Sequence, residues 1–158
     1  MILESILEPV VAAARETLSI MLRLDAVDVT TALASGVAPV HEVSAVVGLG
    51  GSGAHGALVL STDRATAVRL VSRLAGQTFE TFDDDVADGL GELANIIAGA
   101  AKGGLRRAEG GPIDLALPTI VAGAGHQIFR TKGVSNRLAF LSSELGSLCV
   151  QIHLRVES

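Results

Sequence analysis

The sequence predicts an α+β fold built on an antiparallel sheet, and three observations carry that prediction. Two long stretches, 2–22 and 83–107, repeat their apolar residues at helical spacing. Between and after them lie β-branched, alternating segments joined as hairpins around glycine-containing turns. The order also occurs twice, as long helix, strand, glycine-containing connection and hairpin, with a short helix between the halves. The halves share almost no residue identities, so the repeat is one of pattern. No shift in composition marks a linker, and 158 residues suffice for a sizeable core. One domain over 1–158 is therefore expected.

The first helix, 2 to about 22, sets Ile2, Ile6, Val10, Ala13, Thr17 and Ile20 near one face, with Pro9 implying a late start or a kink. Val27 to Ala34 alternates as a strand, ended by Ser35-Gly36. Glu42 to Leu49 and Gly56 to Ser61 form a hairpin around a glycine-rich turn. Asp63 caps a short helix carrying Ala67, Leu70, Val71 and Leu74, which Gly76 stops. A loop, Gln77 to Phe82, leads to the second long helix, whose three leading Asp suit the dipole at that end. Ile113 to Val121 is a strand that Pro118 confines to an edge or a bulge. Gly123 to Lys132 is a loop or short strand, and Leu138 to Ser142 with Leu148 to Val156 close the chain as a hairpin around Glu144 to Ser147. In the last strand Gln151 and His153 alternate with Val150, Ile152 and Leu154, as for a strand with one wet face.

Composition removes several function classes. The chain is 49% hydrophobic and 18% charged, which is globular and not disordered. It has four Phe and neither Trp nor Tyr, so aliphatic residues build the core and stacking platforms for single-stranded nucleic acid are missing. A net charge of −5 argues against nucleic-acid and membrane-surface partners. The lone Cys149 excludes an internal disulfide and fits a reducing, cytoplasmic setting. Glu4, Glu8, Arg15 and Glu16 interrupt the apolar start, which is read as an amphipathic core helix and not as a signal or spanning segment.

Two familiar patterns fail on context. Gly48 to Gly53 matches G-x-G-x-x-G, but a strand-like run, Gly56 to Ser61, follows where a dinucleotide site needs a helix. Ser52 fails as a nucleophile elbow because Ala54 stands where the last Gly belongs. The four His, at 41, 55, 126 and 153, lack the short spacing of a zinc site, and no metal is expected on this chain. The leading Asp run is explained by capping without an ion.

The stretch that resists a structural explanation is the long helix itself. Val86, Leu90, Leu93, Ile97, Ala101 and Leu105 share its apolar side. Asp88, Glu92, Asn95, Gly99, Lys102 and Arg106 line another side, where Glu92 and Asn95 stack three residues apart. Asn is a poor helix-interior residue, and this is one of only two in the chain. Gly89, Gly91 and Gly99 each cost about 1 kcal/mol relative to Ala. Such a helix needs a reason: close packing for some glycines, and clearance for a partner at Gly99.

These residues resemble the CheC/CheX/FliY family of bacterial chemotaxis phosphatases. Its pattern is Asp or Ser, three residues, Glu, two residues, Asn, twenty-two residues and Pro; Asp88, Glu92, Asn95 and Pro118 stand at those spacings, with Gly91 and Gly99 around them. CheC proteins carry the Glu/Asn pair in both halves. Here Glu4 and Glu8 of the first helix are followed three residues later by Leu7 and Val11, so one site remains, as in CheX.

The resemblance implies a CheC-like fold: a duplicated helix-plus-strands unit, with a six-stranded antiparallel sheet, two long helices and one short helix packed on it. It implies a phosphatase acting on the aspartyl phosphate of a CheY-like response regulator, in chemotaxis or two-component signalling. Glu92 and Asn95 are then catalytic, Asp88, Ile96, Gly99 and Lys102 meet the partner, and Gly91 and Pro118 support the motif. Mg²⁺ belongs to the partner regulator, and a homodimer is expected. The alternatives are a non-catalytic module docking a receiver domain on the same face, or a small-ligand binder using the Gly48 to Gly53 loop.

Overall fold

A computed structural model describes residues 2–24, 27–33, 41–51, 54–109, 113–126 and 135–156. In chain order the elements are α1 (Ile2–Leu22), β1 (Asp28–Leu33), β2 (His41–Gly51), β3 (Ala54–Thr62), α2 (Arg64–Ala75), α3 (Asp84–Glu109), β4 (Asp114–Leu115), β5 (Thr119–His126), β6 (Ser135–Ser143) and β7 (Gly146–Val156). The fold is α+β, with three helices and an antiparallel sheet ordered β1-β6-β7-β3-β2-β4 in which β5 also pairs with β2. β4 and β5 run end to end along one side of β2, so seven strands occupy six positions. Between Leu115↔Leu49 and Thr119↔Val46 the outer chain holds one residue more than β2, and Pro118 sits in that bulge. A proline that lacks a ladder donor is tolerated at such a place.

The sheet displays the duplication. The two hairpins, β2–β3 and β6–β7, meet at the centre through β3 and β7. The lone strand of each half then pairs with the hairpin of the other half: β1 with β6, and β4 and β5 with β2. The halves are thus interlocked and share one core.

Local chemistry sets the helix ends. Asp63 Oδ1 accepts from the Thr66 amide at 2.6 Å to cap α2, and left-handed Gly76 (φ 70°) closes it by donating to the Ser72 carbonyl. Asp83 caps α3 likewise, accepting from the Val86 amide at 3.0 Å, with Asp84 and Asp85 in the first turn. α1 runs unbroken through Pro9 and ends on Arg23 (φ 56°), with the Leu24 amide returning to the Leu18 carbonyl at 3.0 Å. Arg73 of α2 caps the same end, donating to the Leu22 carbonyl at 2.9 Å.

All three helices cover the sheet face that carries Val43, Ala45, Val47, Leu58, Leu60, Val150 and Ile152. In α3 the whole expected stripe, Val86, Leu90, Leu93, Ile97, Ala101 and Leu105, is buried at 0–1% exposure. Fully burying a Leu or Ile side chain is worth about 1.5–3 kcal/mol, which outweighs about 1 kcal/mol per helical glycine. Packing therefore holds α3 together where propensity would not.

Four expectations need correction. α1 starts at Ile2, so Pro9 does not delay it, and the strand expected over 113–121 is split into β4 and β5, the latter running on to His126. Ile20 is 66% exposed, because the buried stripe of α1 continues through Leu18 and Leu22. The second sheet face is also not wet in the last strand, where Gln151 and His153 are 1% and 7% exposed beside fully buried Cys149. On that face Ser44 and Ser61 are satisfied, since Ser44 Oγ lies 2.7 Å from Ser61 Oγ and 2.7 Å from His126 Nε2, whereas buried Gln151 Nε2 has no hydrogen-bond partner among the described residues. The turn residues Ser52 and Gly53, and 127–132 of the expected loop, lie outside the described residues. The strand β3 that follows the glycine run, starting at Ala54, removes the dinucleotide reading.

Candidate active site

The stripe on α3 is a solvent-facing row on a rigidly seated helix. Asp88, Glu92, Asn95, Gly99 and Lys102 are all exposed, whereas Gly91 is buried and Ile96 and Pro118 are partly buried. Glu92 and Asn95, three apart on one helix, present a carboxylate and a carboxamide to the same side. Both stand free of the core, so the amide has its acceptor oxygen and two N–H donors available to an outside partner.

Each glycine now has a distinct cause. A methyl group at Gly89 would collide with Val71 of α2, so this glycine lets the two helices touch. A Cβ at Gly91 would lie 3.3 Å from Pro118 Cγ and 3.3 Å from Ile120 Cδ1. Pro118 is therefore a support beneath the helix, one turn below Asn95, and does not itself face solvent with the stripe. A Cβ at Gly99 meets nothing within 4 Å, which leaves open space on the row above Asn95. A further glycine, Gly104, admits Pro9 of α1.

The loop before α3 fixes where the helix starts. Arg64 holds its guanidinium 5.3 Å above the Phe82 ring, and the Phe79 amide donates to Ser72 Oγ at 3.0 Å. Alternation and period cannot reveal one neighbour of the site. Leu117, in the bulge beside Pro118, is 90% exposed, and the only sequence signal is that Pro118 breaks the strand there.

The histidines form no comparable site. His126 is pinned by Ser44 and by the Gly123 carbonyl, 2.8 Å from Nδ1. His41, its register partner, has its pKa lowered first by burial and then by His126, with Asp63 opposing. Among the described residues no three His, Cys, Asp or Glu could hold a metal ion, and no helix is long and apolar enough to cross a membrane.

The family model described as "Chemotaxis phosphatase CheX" matches residues 43–140, a span that contains the α3 stripe and Pro118. The chain belongs to the CheX family of chemotaxis phosphatases. CheX of Vibrio vulnificus matches with a TM-score of 0.84 at 24% identity, over 95% of this chain and 99% of that one. CheX of Desulfovibrio desulfuricans gives 0.82 at 26%, over 95% and 99%. CheX of Borrelia burgdorferi, solved in a CheX-CheY-BeF3-Mg²⁺ complex, gives 0.80 at 30%, over 94% and 97%. Among curated proteins no sequence matches this CheX-family chain significantly.

Proposed function

We propose that this chain dephosphorylates a CheY-like response regulator in chemotaxis, with Asn95 positioning the attacking water and Glu92 anchoring the partner. The observation that carries the reading is the exposed Glu92 and Asn95 on one face of α3, with open space at Gly99 one turn further on. Membership of the CheX family and the CheY-bound relative support the same partner class.

Phosphoryl transfer from an acyl phosphate passes through a loose transition state that asks mainly for alignment and charge compensation. In this reading the Asn95 carboxamide accepts from and donates to one water and holds it in line with the leaving carboxylate. The water oxygen forms the new bond to phosphorus, and the bond from phosphorus to the regulator's aspartyl oxygen breaks. Its electron pair stays on the freed carboxylate, and the water's proton leaves with inorganic phosphate or to solvent. Glu92 pairs with the regulator's active-site Lys, a charge-assisted contact that fixes register. Asp88, Ile96 and Lys102 border the docked surface, and Mg²⁺ comes with the regulator. A homodimer is part of the reading, and sedimentation of the purified chain tests it.

The experiment is the lifetime of a phosphorylated cognate receiver with wild type and with Asn95→Ala. Wild type shortens it, and Asn95→Ala loses about 100-fold of that effect, the usual scale for a misplaced reactant. Ala favours the helix and the site is exposed, so unfolding does not account for such a loss. Equal rates would remove Asn95 from the mechanism. Tight binding by wild type with an unchanged phosphate lifetime would make the face a docking module only.

A further inference from the structure

Leu117 is the most exposed large apolar side chain among the described residues, at 90%. Single exposed leucines are common and mean nothing alone, so position has to decide. Its neighbours are committed to the sheet. Leu115 packs against the core, and the Ala116 amide donates to the Gly48 carbonyl at 2.9 Å. Pro118 lies under Gly91 on the helix side, and Thr119 resumes the ladder opposite Val46. Leu117 lies in the bulge between these anchored residues, exposed at the outer edge of the sheet.

That edge adjoins the active row. Gly91, which rests on Pro118, is four residues before Asn95 and so lies directly below it on the helix. Leu117 is the chain neighbour of Pro118, on the β5 side of the row. Partly buried Ile96 flanks the other, since it lies on the same side of α3 as Gly89, where α2 packs. Exposed charges such as Glu92 and Lys102 set orientation but contribute little net affinity, because water and salt screen them. An apolar contact supplies what they lack.

We propose that Leu117 is the apolar anchor of the docking surface, buried by the receiver domain when that domain lies over Glu92 and Asn95. This rests on the reading of that face as the receiver site, and its occupant follows from continuity with the Glu92–Asn95 row. Leu117 does not act on the reacting atoms; it fixes how strongly and at what tilt the partner sits.

The test compares wild type, Leu117→Ser, Leu117→Met and Asn95→Ala, using receivers encoded in the same genome and loaded with Mg²⁺ and beryllofluoride. Binding, turnover, melting and sedimentation are measured for each. Burying about half of a Leu side chain corresponds to roughly tenfold in affinity, so Leu117→Ser weakens Kd and raises KM about tenfold with kcat within about twofold. Leu117→Met restores binding because it conserves apolar volume, and melting is unchanged because the position is exposed. An unchanged Kd for Leu117→Ser overturns the anchor, as does an altered self-association with binding intact. If wild type binds but does not hydrolyse, and Leu117→Ser weakens binding, the anchor stands while the catalytic reading falls. If wild type binds none of the receivers, both fall.

Discussion

Replacing Gly99 by Ala sets helix stability against docking at a single atom. A Cβ there meets nothing within 4 Å, and the residue does not have positive φ, so the methyl enters without strain. Ala is about 1 kcal/mol better than Gly inside a helix, and no lost contact offsets the gain. For a chain of this size that corresponds to a rise of about 2–4 °C in melting temperature. The same methyl stands on the exposed row four residues beyond Asn95. If a receiver backbone approaches α3 there, the added group pushes it away, at the cost of about 1–3 kcal/mol typical of overpacking. Urea denaturation reads the first effect, and binding of a beryllofluoride-loaded receiver reads the second. The expected outcome is a more stable protein that binds about tenfold or more weakly. No stabilisation would refute the account of Gly99 as an unpacked helical position. Stabilisation with unchanged affinity would refute clearance as its purpose.

Other outcomes follow from the packing and burial. Gly89→Ala destabilises by about 1 kcal/mol net despite its propensity gain: the new Cβ meets Val71, a buried β-branched side chain with little rotamer freedom, and denaturant midpoints read the loss. Cys149, fully buried with its thiol pushed up to about 12 by burial, resists iodoacetamide at neutral pH in the native protein and reacts once urea unfolds it. His41 has a folded pKa below its ordinary 6.5, so between the folded pKa and 6.5 the unfolded chain binds more protons and stability falls as pH drops through that window. His41→Gln flattens this part of the profile of melting temperature against pH; an unchanged slope below 6.5 would contradict the assignment.

Particular residues show what could be read early and what could not. The core face of α3 and both caps of α2 were legible because period and capping act over one or two turns. Pro118 announced a bulge for a similar reason, since a missing amide proton is a property of the residue itself. Ile20 misled because an apolar stripe drifts around a helix, and which turn leaves the core depends on what packs opposite. Gln151 and His153 misled because alternation tells which residues share a sheet face and not whether that face is covered. The Ser44–Ser61–His126 contacts on that face join residues far apart in the chain.

What the sequence alone determined is the three helices and the two hairpins, their doubling, and the row of Asp88, Glu92, Asn95 and Gly99 on a helix too rich in glycine to be explained by propensity. Tertiary structure decided which glycines are packed against and which are not: a Cβ at Gly89 would meet Val71, one at Gly91 would meet Pro118, and one at Gly99 meets nothing within 4 Å. It also decided that each half lends its lone strand to the other, and that Leu117 stands exposed next to Pro118. The physical reason is range. Periodicity and capping are settled among neighbours, whereas contact and exposure depend on strands and helices that come together only when the sheet closes.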